Sequence, residues 1–215
     1  MSTTDLQIPT RLRISSSPVI DRAIEHAQRT SEPYLFNHVM RSWLYAERIA
    51  ARQGGSYDRE VVAVGTLLHD VTLNVGFAGP RRFEVEGADL ARTFALEVGF
   101  DDRRAQLVWD SVALNSTPSI GLYKEPEVAL CTAGICFDVV GLQYELVPPH
   151  EVAAIVEAFP RLHMKARMAE CFCHIAQTQP ETTYDNFVRD FGERLVAGYR
   201  SPSAVDLVAN APFDE

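Results

Sequence analysis

Residues 33–53 read PYLFNHVMRSWLYAERIAARQ, opened by Pro33 and closed by Gly54-Gly55. Apolar side chains recur there at intervals of three and four, the period of a helix with one buried face. Proline is tolerated in a first helical turn and glycine suits a left-handed C-terminal cap, so a helix over 33–53 is the reading. One feature breaks its apolar stripe: His38 stands among Leu35, Phe36, Val39 and Met40.

The same period recurs on both sides, and no stretch alternates polar and apolar residues between Asn-Gly or Asp-Gly turns. Helices are expected over 17–30, with Ser17 as cap and Pro18 in the first turn, and over 59–70 after the capping residue Asp58. Further helices are expected over 84–99, 101–116 and 125–141, with Gly141 just past the last. Later candidates are 148–159, 160–177 and a segment around 182–199. The fold class is all-α, a helical bundle in a single domain over 17–200. Residues 1–16 read as a loosely ordered lead-in and 201–215, with Pro202 and Pro212, as an irregular tail.

The 215 residues carry 20 Lys plus Arg against 29 Asp plus Glu, a net charge of −9. That balance argues against nucleic acid as a partner, since a phosphate backbone needs a positive field. No apolar run reaches the roughly 18–20 residues that span a bilayer, so no membrane segment is expected and the cytoplasm is the default location. Cys131, Cys136, Cys171 and Cys173 show no C-x-x-C spacing and read as free core thiols.

The helix over 59–70 ends in GTLLHDVTLNVGF, residues 65–77. Burying His69 and Asp70 without partners would cost several kcal/mol. Adjacent helical side chains point about 100° apart, so the two can reach one ion only where the helix is ending. A divalent cation would neutralise the aspartate and occupy an imidazole nitrogen. It would need further ligands from other helices. Two candidates interrupt apolar segments in the same way, His38 and the Asp138 of GICFDVVG.

The order His38, His69-Asp70, Asp138, with the surrounding runs YLFNHVMRSWLYA, LLHDVTL, RRFEVEGADLAR, VWDSVALNSTPSIG and EVALCTAGICFDVVG, resembles the HD-domain superfamily of metal-dependent hydrolases. These runs look most like the branch that includes the fungal cyanamide hydratases. The resemblance implies an HD-type helical bundle. It also implies one divalent metal, Zn2+ or Fe2+, held by His38, His69, Asp70 and Asp138. The implied activity is a hydro-lyase reaction, hydration of a small nitrile-like substrate such as cyanamide to urea by a metal-activated water. Asp70 would move a proton, and Glu86, which with Glu84 flanks Val85, would act at the site mouth. Asn115 stands where related sequences carry a histidine, and an amide is a poor base and a weaker ligand. Phe36, Phe77 and Phe83 would line the substrate pocket, with Arg41 and Lys165 as candidate anion contacts. The alternatives are an HD-type phosphohydrolase acting on a nucleotide or phosphomonoester, and a non-catalytic metal-binding scaffold. The expected partner is a small-molecule substrate, and exposed apolar faces on the late helices could support a homodimer.

Overall fold

The computed structural model describes Leu12, residues 16–74 and residues 76–213. Their regular structure is wholly helical. Ser17 caps helix α1 (Pro18–Thr30), its hydroxyl accepting from the Ile20 N–H. Helix α2 (Pro33–Gln53) is buried along almost its whole length, from Tyr34 to Ala50. It ends as expected at Gly54, whose φ of 70° suits glycine. Helix α3 (Arg59–Leu67) starts at Asp58, whose carboxylate accepts from the Glu60 and Val61 N–H groups.

After α3 the chain turns and re-enters helix at α4 (Phe83–Glu97) and α5 (Asp102–Ala113), which pack against each other. A single turn, α6 (Pro118–Gly121), leads into α7 (Pro126–Val140). Helices α2 and α7 meet closely because Gly134 faces Ser42 and Ala46: a methyl built on Gly134 would lie 2.8 Å from the Ala46 Cβ. Helices α8 (Pro149–Ala158), α9 (Met164–Thr178), α10 (Val188–Leu195) and α11 (Ala204–Ala209) complete the chain.

Several boundaries differ from the sequence expectation. Helix α3 stops at Leu67, which puts His69 and Asp70 in the following turn. Helix α9 starts at Met164 because Leu162 and His163 take positive φ values of 48° and 61°. Around 182–199 only Val188–Leu195 is α-helical. The tail is not wholly irregular, since it forms α11, where Val205, Leu207 and Val208 stand exposed. Most of the lead-in lies outside the described residues, but Leu12 is buried in the core.

Apolar burial falls into two clusters. The larger joins α1–α5, α7 and α8 around Met40, Trp43, Leu44 and Ile49. The smaller joins Tyr34 and Leu35 at the start of α2 to Leu73, Phe77 and Phe83, and to Met168, Phe172 and Ile175 of α9. No helix of the described residues is long and apolar enough to cross a membrane.

Candidate metal centre

His38 sits on the buried face of α2, fully enclosed. Its Nδ1 lies 2.7 Å from Asp138 Oδ2 of α7. Arg41, one turn further along α2, clamps the same carboxylate with Nε on Oδ1 and Nη2 on Oδ2, both at 2.8 Å. Arg161 adds a third contact at 3.0 Å from Oδ1. Burial alone would raise the Asp138 pKa, but His38 and Arg41 outweigh it and hold the carboxyl ionised well below the usual range. An ionised carboxylate only accepts, so Nδ1 of His38 carries the proton and Nε2 presents a lone pair.

His69 reaches the same point from the end of α3. Its Nδ1 is 2.7 Å from the Thr66 carbonyl, one of the oxygens a helix end leaves without an intrahelical partner. A carbonyl also only accepts, so Nε2 of His69 is likewise the open nitrogen. The two Nε2 atoms stand 3.1 Å apart. Asp70 Oδ2 lies 3.2 Å from the Nε2 of His69 and 3.5 Å from that of His38. This oxygen is buried and has no hydrogen-bond partner among the described residues.

Three lone pairs thus converge among buried side chains. As bare lone pairs they repel, and a cation between them, or a proton on His69 facing Asp70, relieves that repulsion. Their separations match those of a tetrahedral ion: donors at about 2.0–2.1 Å from zinc stand about 3.3–3.4 Å from one another. His38, His69 and Asp70 are therefore within metal-binding distance as a set. Burial lowers the His38 pKa and so favours the neutral imidazole that a metal requires. Burial also works against charge on His69, but the neighbouring Asp70 carboxylate outweighs it and the pKa rises. For Asp70 burial favours the acid form; His69 and His38 overcome it and keep the carboxyl below its ordinary range.

The set opens onto a cavity of about 290 Å³ on the seam between the two apolar clusters. Its walls are Phe83 of α4, Ile135 and Val139 of α7, Met168 and Phe172 of α9, and Phe187. Asn115 and Ser116, just past α5, are the polar side chains added to the triad. The Cys136 thiol also lines it, and burial pushes its pKa up to about 11.

No family model matches this chain, and neither does any curated protein.

Of the residues picked out in the sequence, His38, His69, Asp70, Phe83 and Asn115 come together here. Asp138 does not join the three-donor set: it stands behind His38, its oxygens taken by His38, Arg41 and Arg161. Arg41 does not line the cavity, its guanidinium being buried against the Asp138 carboxylate and the Phe159 carbonyl. Phe36 packs edge-on to Phe159, and Phe77 belongs to the smaller cluster without lining the cavity. Lys165 is exposed.

Glu86 points outward and pairs with Arg81, whereas Glu84 is fully buried against Arg82 and Ser116. Helical phase carried that signal, because Glu84 lies four and seven residues before Ala88 and Ala91 on the inward face of α4. Ser116, Cys136, Met168, Phe172 and Phe187 were not picked out. The last three lie far along the chain from the His-Asp pair, and nothing local in their segments distinguishes cavity wall from core.

Proposed function

We propose that the chain is a metal-dependent enzyme of the HD-domain type that adds water to a small neutral substrate, a nitrile-like molecule such as cyanamide. One observation carries the reading: three buried lone pairs, from His38, His69 and Asp70, converge at the wall of an apolar cavity. Two imidazoles and one carboxylate suit zinc or iron(II) alike and leave room in the coordination sphere for substrate or water. A divalent cation held there supplies Lewis acidity and brings the pKa of a bound water toward neutrality.

The chain's own residues do the rest. Asp138, held by Arg41 and Arg161, fixes the tautomer and ring orientation of His38, as outer carboxylates do at metal-ligating histidines. The Thr66 carbonyl does the same for His69. Asp70 has a second oxygen beyond the one facing the histidines and can hold or pass a proton within the cavity. The apolar walls exclude competing water and strengthen every electrostatic contact inside.

The cavity lining favours a neutral substrate over a phosphate ester. Phosphoryl transfer calls on Arg or Lys to neutralise oxygens, and the lining holds neither. The nearby Arg82 is engaged by Glu84 and Asp185, and Arg81 by Glu86 and Asp89.

Elemental analysis and zinc titration of the purified protein test the centre, with about one ion per chain expected and binding lost in His69→Ala. Incubation with cyanamide and with p-nitrophenyl phosphate, reading urea and phosphate, tests the reaction class. Urea release is expected; phosphate release without urea would overturn the hydration reading.

A further inference from the structure

The two oxygen-bearing side chains beside the triad, Asn115 and Ser116, are turned to accept. Asn115 donates from Nδ2 to the Val112 carbonyl at 2.7 Å and, at longer range, to the His69 carbonyl at 3.5 Å. The Val112 contact sets the amide's orientation, because the flipped form would bring two oxygens together. Both amide hydrogens are thus directed at backbone, and Oδ1, with no partner among the described residues, is left for the cavity.

Ser116 follows the same logic. Its hydroxyl donates to Glu84 Oε1 at 2.5 Å, and Glu84, paired with Arg82 Nη2 at 2.9 Å, can only accept when ionised. The hydroxyl proton is therefore committed; Arg82 Nη2 also approaches Oγ, at 3.4 Å, so the other Oγ lone pair is what Ser116 offers the cavity. The one remaining polar group on the wall is the protonated Cys136 thiol, a weak donor.

We infer that the cavity takes a neutral molecule with an N–H donor beside its reacting carbon and an apolar substituent, the N–H being recognised by Asn115 and Ser116. This rests on the proposed function for the word "reacting" but not for the recognition itself. Asn115 and Ser116 supply acceptors that an N–H satisfies and that an N–CH3 leaves desolvated and unpaired. The walls from Phe83, Ile135, Met168 and Phe172 are apolar and match an alkyl or aryl group. Monosubstituted cyanamides have this chemistry. Glu84 is a positioning residue, acting only through the hydroxyl that it orients.

The test is calorimetric binding of N-benzylcyanamide and N-benzyl-N-methylcyanamide to the unmodified protein, with and without zinc. The N–H compound is expected to bind at least about tenfold tighter, the scale of one hydrogen bond made against one buried acceptor left unpaired. It is also expected to bind tighter than cyanamide itself. Ser116→Ala should shrink the ratio between the pair. Glu84→Gln should shrink it too, because an amide N–H can turn the hydroxyl proton toward the cavity. A merely structural loss would weaken both ligands alike and leave that ratio unchanged.

Equal binding of the pair, preference for the N-methyl compound, binding of neither, or an unchanged ratio in Ser116→Ala overturns the inference. If zinc does not bind, the metal reading fails separately, and the ratio in zinc-free protein still decides this one.

Discussion

Asp138 illustrates how one side chain's role depends on what already occupies its lone pairs. Arg41 and Arg161 take its oxygens together with His38 Nδ1, so the carboxylate balances a buried guanidinium and orients an imidazole. Removing the charge leaves Arg41 buried without a counter-ion, so Asp138→Asn is expected to destabilise the fold by about 3–5 kcal/mol. Urea denaturation followed by circular dichroism measures it, and a loss under about 1 kcal/mol would contradict the buried-pair account. His38 and Asp138 were both legible as polar interruptions of apolar segments. Their division of labour was not, because it is set by Arg41 and Arg161, the latter 23 residues downstream of Asp138.

Helix ends position the chemistry, and the start of α3 makes predictions. At the start of α3, Asp58 accepts two N–H groups and pairs with Arg104. Asp58→Ala is expected to lower stability by about 1 kcal/mol, the usual worth of an N-cap. Burial tends to raise the Asp58 pKa, but Arg104 and the helix N–H groups outweigh it and the net shift is downward. Glu60 is shifted down as well, by the Ser17 hydroxyl and Arg104. Groups whose folded pKa is depressed contribute stability that is present above the unfolded value and lost as pH falls through the folded one. Unfolding midpoints should therefore drop below about pH 4, near the ordinary carboxylate range. Asp58→Asn should flatten that slope in denaturation curves recorded from pH 6 to pH 2.

Where α2 and α7 touch, Gly134 lets the backbones approach, and an added methyl would collide with the Ser42 carbonyl and Ala46. Gly134→Ala, although it favours helix intrinsically, is expected to lose about 1–3 kcal/mol through overpacking, seen as a lower melting temperature. An unchanged or raised melting temperature would show that the helix pair relaxes without strain.

Across the molecule the candidate metal centre draws together α2, the turn after α3 and, through Asp138, α7. A ligand that binds only the folded state stabilises by mass action, about 2.7 kcal/mol at a hundredfold excess over its Kd. For a chain of this size that is a rise of about 5–10 °C in melting temperature. Differential scanning fluorimetry with zinc, then with excess chelator, should show the rise and its reversal, and His69→Ala should show neither. A zinc response that persists in His69→Ala would place the ion elsewhere.

The all-helical class and the His-Asp corner could be read from the chain, because helical periodicity, caps and the cost of burying bare polar groups are local in their causes. Which carboxylate joins the two histidines and which stands behind one of them could not, nor could the walls from α7 and α9. Those outcomes depend on how segments far apart in the chain pack, and on which lone pairs remain open once arginines and carbonyls have claimed the others.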